Sequence, residues 1–209
     1  VNRHQLPSPP LLVISDRSQA RRPLTDIAAA AFAGGCRWFS LREKDLAAAE
    51  RRALLAELVA LGRRYGAVVG IHDDLDAALS TGAGAVHFPG GSDPVAARRR
   101  LPNALIGVSA HTAAEAAAQL RAGADYATLS PVFLTDSKPG YGPALGLDGL
   151  ARAAALTDGP ILALAGITAA NAASCVKAGA AGIAVMGEVM RATDPEATVC
   201  ALLRVIAPA

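Results

Sequence analysis

Apolar residues gather in eight short runs along the chain, and each run is followed by a longer, alanine-rich stretch. The runs are LLVIS (11–15), RWFSL (37–41), AVVGI (67–71), AVHF (85–88), LIGVS (105–109), YATLS (126–130), ILALA (161–165) and GIAVM (182–186). Their apolar character is continuous rather than alternating, which predicts strands covered on both faces, as in a parallel sheet wrapped by helices. Helix starts are marked by Asp45, by Ser92-Asp93-Pro94, by Asp194-Pro195 and by the capping box Thr112-Ala-Ala-Glu115. Helix ends are marked by glycine in RAGADY (121–126) and KAGAAG (177–182), where a left-handed residue turns the chain into the next strand.

Eight strand-helix units either close into a barrel or stay open as a doubly wound sheet. Eight is the barrel number, and units of about 26 residues make a compact member of that class. An open nucleotide-binding sheet more often shows a glycine fingerprint after its first strand, and ISDRSQARR (14–22) has none. The expectation is a single (β/α)8 TIM barrel over 11–209, preceded by a flexible, proline-rich tail over 1–10.

Composition narrows the function classes. Twenty basic and 18 acidic residues, spread along 209 positions, give a net charge of +2. No basic stripe of the kind a nucleic-acid binder needs is visible, so nucleic acid is not an expected partner. Nothing approaches ~18 consecutive apolar residues, so no membrane span is expected either. The tail lacks the apolar stretch of a signal peptide, which places the protein in the cytoplasm as an expectation. Cys36, Cys175 and Cys200 are odd in number and far apart, which argues against a disulfide framework or zinc site and for a reducing compartment. Alanine-rich outer helices leave room for a homodimer.

In a (β/α)8 barrel the chemistry sits at the C-terminal ends of the strands. These ends are polar here: Arg42-Glu43-Lys44, His72-Asp73-Asp74, His87, Ser109-Ala110-His111, Ala165-Gly166-Ile167-Thr168 and Met186-Gly187-Glu188. The loops after strands 7 and 8 are the customary phosphate site of the fold. Gly166, before a capping Thr168, and Gly187 therefore point to a phosphate monoester, against the plainer reading of tight turns.

A second anionic focus is expected across the mouth. Arg42 and Lys44 follow one strand at i, i+2 spacing, and Lys138 falls in the long segment 130–146. The plainer reading pairs Arg42 with Glu43 and Lys44 with Asp45 on the surface. Against it, only three lysines exist, Lys44, Lys138 and Lys177, and two of them fall in strand-end loops. Asp73 offers hard oxygen ligands for a magnesium ion bridging phosphate oxygens. His72, His87 and His111 are candidates for proton transfer, although a strand-end histidine is more often structural. Ser109 lacks triad partners and reads as a hydrogen-bond donor to substrate rather than a nucleophile.

These residues resemble the thiamine phosphate synthase and thiazole tautomerase (TenI-like) superfamily over about residues 11–190. The resemblance is carried by Ile14-Ser15-Asp16, Leu41-Arg42-Glu43-Lys44, Ile71-His72-Asp73-Asp74, Val86-His87 and Gly107-Val108-Ser109-Ala110-His111. It continues through Ala124-Asp125-Tyr126, Pro131-Val132-Phe133, Thr135-Asp136-Ser137-Lys138-Pro139, Ala165-Gly166-Ile167-Thr168 and Gly182-Ile183-Ala184-Val185-Met186. It implies small phosphorylated substrates, with hydroxymethylpyrimidine diphosphate coupled to a thiazole phosphate and pyrophosphate released. It also implies that Arg42, Lys44, Ser109 and Lys138 hold the diphosphate, with Asp73 on Mg2+. His72, Thr135, Ser137, Gly166, Met186 and Gly187 then line the substrates.

The chain departs from the synthase pattern in places. Ser40 stands where that pattern has glutamine, and His72 where it has asparagine. The second magnesium aspartate is matched by Ser92 in strict register, and by Asp93 after a one-residue shift. The PGGS segment (89–92) is closer to the tautomerases, but Pro131 replaces the histidine those enzymes carry. The reading is a thiamine phosphate synthase, with a tautomerase, or a relative that binds thiazole or thiamine phosphate without turnover, as the alternatives.

Overall fold

The computed structural model describes residues 4–135 and 142–207. Eight parallel strands close in sequence order into a barrel. They are β1 Leu11–Ile14, β2 Trp38–Leu41, β3 Val68–His72, β4 Ala85–Phe88, β5 Leu105–Ala110, β6 Tyr126–Leu129, β7 Ile161–Leu164 and β8 Gly182–Val185. The barrel seam is the pairing of Leu11 with Ile183 and of Val13 with Val185. Each expected strand is present, most of them shortened by one residue at an end.

Around the barrel lie α1 Leu24–Ala33, α2 Ala48–Arg64, α3 Leu75–Thr81, α4 Pro94–Arg100, α5 Ala113–Ala122, α6 Gly146–Leu156, α7 Ala172–Lys177, α8 Gly187–Met190 and α9 Pro195–Ile206. The eighth unit thus has two helices, the short α8 directly after β8 and the longer α9. Asp93, Thr112 and Asp194 accept backbone N–H bonds at the starts of α4, α5 and α9, as expected. Asp45 does not cap α2, which starts without a side-chain cap; its carboxylate instead pairs with Arg17.

Two apolar layers result from the strand period of two. Outward residues such as Val13, Phe39, Ile71, Val108 and Leu129 pack against the helices. Inward residues Leu12, Ile14, Trp38, Ala85, Leu105, Tyr126, Leu162 and Ala184 fill the barrel. Trp38 and Tyr126 meet edge to face, with ring centroids 4.7 Å apart. Gly107 makes this possible, because a Cβ there would lie 2.0 Å from the Tyr126 ring.

Residues 4–10, expected as a flexible tail, lie against the barrel. The His4 N–H donates to Asp125 at 2.9 Å, Leu6 packs against the barrel filling, and the Pro10 carbonyl accepts from Ile183 at 3.0 Å. This segment closes the end of the barrel opposite the mouth. No described helix is long and apolar enough to cross a membrane.

Candidate active site

Above the apolar filling, the inward positions turn polar. His72 ends β3 and pairs in register with His87 of β4; Ser109 of β5 pairs with Thr128 of β6. The His72 and His87 rings stack with centroids 4.6 Å apart. Nε2 of His87 lies 3.0 Å from the Ser109 hydroxyl and Nδ1 lies 3.2 Å from the Tyr126 hydroxyl. Burial, and then the nearby Arg42 charge, push His87 down to about 3. Burial also drives His72 well below the usual histidine range, helped by His87, Arg42 and Lys44. Both imidazoles are therefore neutral at physiological pH, and the Arg42 and Lys44 charges are near enough to disfavour a further positive charge here. His111 hydrogen-bonds the Ser130 carbonyl at 2.9 Å.

The surface pairing of Arg42 with Glu43 does not occur. Glu43 is 3% exposed and turned inward, accepting from the Ser15 hydroxyl at 2.6 Å and from the Arg17 N–H. Ser15 also accepts from the Arg42 N–H at 2.8 Å, so it joins the ends of β1 and β2. Burial raises the Glu43 carboxyl above its ordinary value, only partly offset by these bonds. Asp45 takes Arg17, leaving neither Arg42 nor Lys44 in an ion pair among the described residues.

Asp73 stands exposed at the mouth with a left-handed backbone, φ 52°. That conformation is uncommon outside glycine, and such residues cluster at functional sites. Asp93 caps α4 with one carboxylate oxygen, which accepts from Val95 and Ala96 at 2.8 and 3.3 Å. Among the described residues no group of three or more histidine, cysteine or carboxylate side chains is arranged to hold a metal. A single aspartate nevertheless suits magnesium, which commonly binds through one or two carboxylates, water and substrate phosphate oxygens.

The other focus is a cavity of about 300 Å3 between the ends of β6, β7 and β8. It brings together Thr135, Gly166, Met186 and Gly187, all expected at substrate, with Ser130, Thr168, Glu188 and Arg191. Gly166 has φ +65°, and a Cβ there would lie 2.6 Å from the Leu134 carbonyl, so only glycine fits this turn. The turn is organised not by Thr168 as a cap but by Asn171, whose side chain accepts from the Thr168 N–H and donates to the Gly166 carbonyl, both at 2.9 Å. Ser137 and Lys138 lie outside the described residues. Asn171 and Arg191 were not singled out from the sequence, and Glu188 was named only as part of a polar strand end. Nothing in their spacing distinguishes them from ordinary helix-face residues.

A closed (β/α)8 barrel with polar strand ends and a glycine-walled cavity among them has the architecture of an enzyme for small substrates. Similarity to known proteins gives the family. The chain belongs to the thiamine monophosphate synthase family, whose model matches residues 11–189. It is 42% identical over 200 residues to the thiamine-phosphate synthase of Roseiflexus sp. (strain RS-1), covering 94% of this chain and 85% of that protein. It is 38% identical to the thiamine-phosphate synthase of Geobacillus kaustophilus (strain HTA426), covering 92% and 90% respectively. Among solved structures it is similar to a thiamine phosphate pyrophosphorylase from Pyrococcus furiosus, with a TM-score of 0.84, 31% identity and 94% of each chain covered.

Proposed function

We propose that this transferase couples hydroxymethylpyrimidine diphosphate to a thiazole phosphate, giving thiamine phosphate and pyrophosphate. The observation that carries the reading is the division of the mouth. Arg42, Lys44, Asp73 and Ser109 gather around the β2–β5 ends, while Thr135, Gly166, Met186 and Gly187 wall a separate cavity at the β6–β8 ends. Two anionic substrates thus have two places.

On the diphosphate side, Arg42 and Lys44 attract the substrate, together with Lys138 from its sequence position. Ser109 donates from its hydroxyl. Burial holds the Tyr126 phenol above its ordinary range, so it keeps its proton. When Tyr126 donates to Nδ1 of His87, the Nε2–H donates to Ser109 and the serine proton is left for a phosphate oxygen. His72 borders the same space, with its Nε2 buried and without a protein partner. Asp73 would hold Mg2+, which when bound neutralises charge building on the departing diphosphate. As the C–O bond to the pyrimidine methylene breaks, the basic residues stabilise the leaving group and the thiazole nitrogen supplies the electron pair for the new C–N bond. No protein nucleophile is needed, in keeping with Ser109 bonded to a neutral His87.

Proton shuttling by a tautomerase finds less support. His87 at about 3 is a weak base, and Pro131 fills the position of the histidine that the tautomerase pattern carries. Burial pushes the Cys36 and Cys175 thiols up to about 11, which keeps them protonated and out of the chemistry. The test is pyrophosphate release from both substrates with magnesium. Release that requires both substrates is expected; none above background at high metal overturns the reading.

A further inference from the structure

The cavity between β7 and β8 has one cation among its described lining residues, Arg191, and one anion, Glu188. Arg191 lies beyond the short α8 and carries none of the sequence resemblance. Its guanidinium is laid over residue 187 because that residue is glycine: a Cβ there would fall 2.1 Å from Nη1 and 2.6 Å from Cζ. Gln19, in the loop after β1, accepts from Arg191 Nη1. Gln19 in turn donates to Asp16 at 2.5 Å and to the Met186 sulfur at 3.8 Å. The two loops are further joined by Arg21 N–H to the Met190 carbonyl at 3.3 Å and by Arg22 to the Thr193 carbonyl at 2.6 Å. Arg191 is therefore exposed yet held in place at the cavity wall.

A phosphate dianion entering this cavity meets Glu188, whose charge repels it, and backbone groups that carry only partial charge. A side-chain cation is needed to offset that repulsion, and a guanidinium fork matches phosphate geometry. The fork presents five donors, more than the bond to Gln19 uses. We infer that Arg191 is the specificity-determining side chain of the monophosphate subsite, positioned by Gln19 and opposed by Glu188. The inference rests on the phosphate reading of this cavity. It predicts that the enzyme favours the phosphorylated thiazole over its alcohol through Arg191.

The test is calorimetric binding of inorganic phosphate, the thiazole phosphate and the thiazole alcohol to the full chain. Arg191→Ala is expected to weaken both phosphate ligands by about tenfold and leave the alcohol unchanged, the size expected for one charged hydrogen bond. Arg191→Lys should restore part of the loss, and Glu188→Gln should tighten both phosphates. Gln19→Ala should weaken phosphate when Arg191 is present and have no further effect in Arg191→Ala, which a merely structural role would not produce. Unchanged phosphate affinity in an Arg191→Ala protein with the same thermal midpoint overturns the inference, and so does an equal loss for the alcohol. Because inorganic phosphate binding needs no turnover, Arg191-dependent binding without pyrophosphate release upholds this inference and overturns the synthase reading alone.

Discussion

The imidazoles of His72 and His87 lie against one another inside the barrel, with ring centroids 4.6 Å apart and planes tilted by 37°. Neither can take a proton there without losing its hydration beside the other and beside Arg42. The unfolded chain has no such penalty and binds protons near the ordinary histidine value of 6.5, against about 3 for folded His87. The contribution to stability is complete above 6.5 and is lost as pH falls toward 3. The urea midpoint should fall between about pH 7 and pH 5, a window above most carboxylate titration. His87→Asn should flatten that slope, and a midpoint that stays level in the unsubstituted protein would rule the account out.

Ser15 is bonded on both sides, to buried Glu43 and to the Arg42 N–H. Ser15→Ala removes both bonds and should cost about 1–3 kcal/mol in chemical denaturation. It should also raise KM for the diphosphate substrate more than for the thiazole phosphate, because Arg42 loses its anchor. Equal changes in both KM values would show that Ser15 does not position Arg42.

The two aspartates should separate cleanly. Asp93→Ala removes the cap of α4 and should cost about 1 kcal/mol while leaving the magnesium requirement unchanged. Asp73→Asn should leave stability within about 1 kcal/mol and shift half-maximal activation to higher magnesium. A metal titration of both variants decides the matter, and a shifted requirement in Asp93→Ala would restore that residue as a ligand.

Gly166→Ala brings a Cβ to within 2.6 Å of the Leu134 carbonyl in a left-handed turn. The expected result is a loss of about 1–3 kcal/mol in stability and weaker thiazole phosphate binding. Calorimetry on the folded variant measures the second effect, and full affinity would dissociate the turn from the subsite.

Lys138 is argued from sequence alone. Lys138→Ala should slow pyrophosphate release far more than it changes the melting temperature, the signature of a side chain that acts on substrate rather than on folding. Proportionate losses in both would make it a structural residue.

The sequence by itself determined the barrel and which polar residues stand at the ends of its strands. Continuous apolar strands require cover on both faces, eight of them close a ring, and the period of two sends every second residue inward. That is why the places of Arg42, Asp73, Ser109, Gly166 and Gly187 were legible: each follows or ends a strand, and strand ends are visible in a hydrophobic pattern. What only the tertiary structure decided depends on contacts distant along the chain. Glu43 looked like a surface partner of Arg42 until burial against Ser15 turned it inward. Asp93 matched a ligand pattern by one shifted residue, and only the structure shows that one of its carboxylate oxygens caps α4. Gln19 and Arg191 are 172 positions apart, and their meeting follows from ring closure, which sets the loop after β1 beside the loop after β8. No spacing rule reports a bond between the first and last units of a barrel, because that proximity exists only once the sheet has closed.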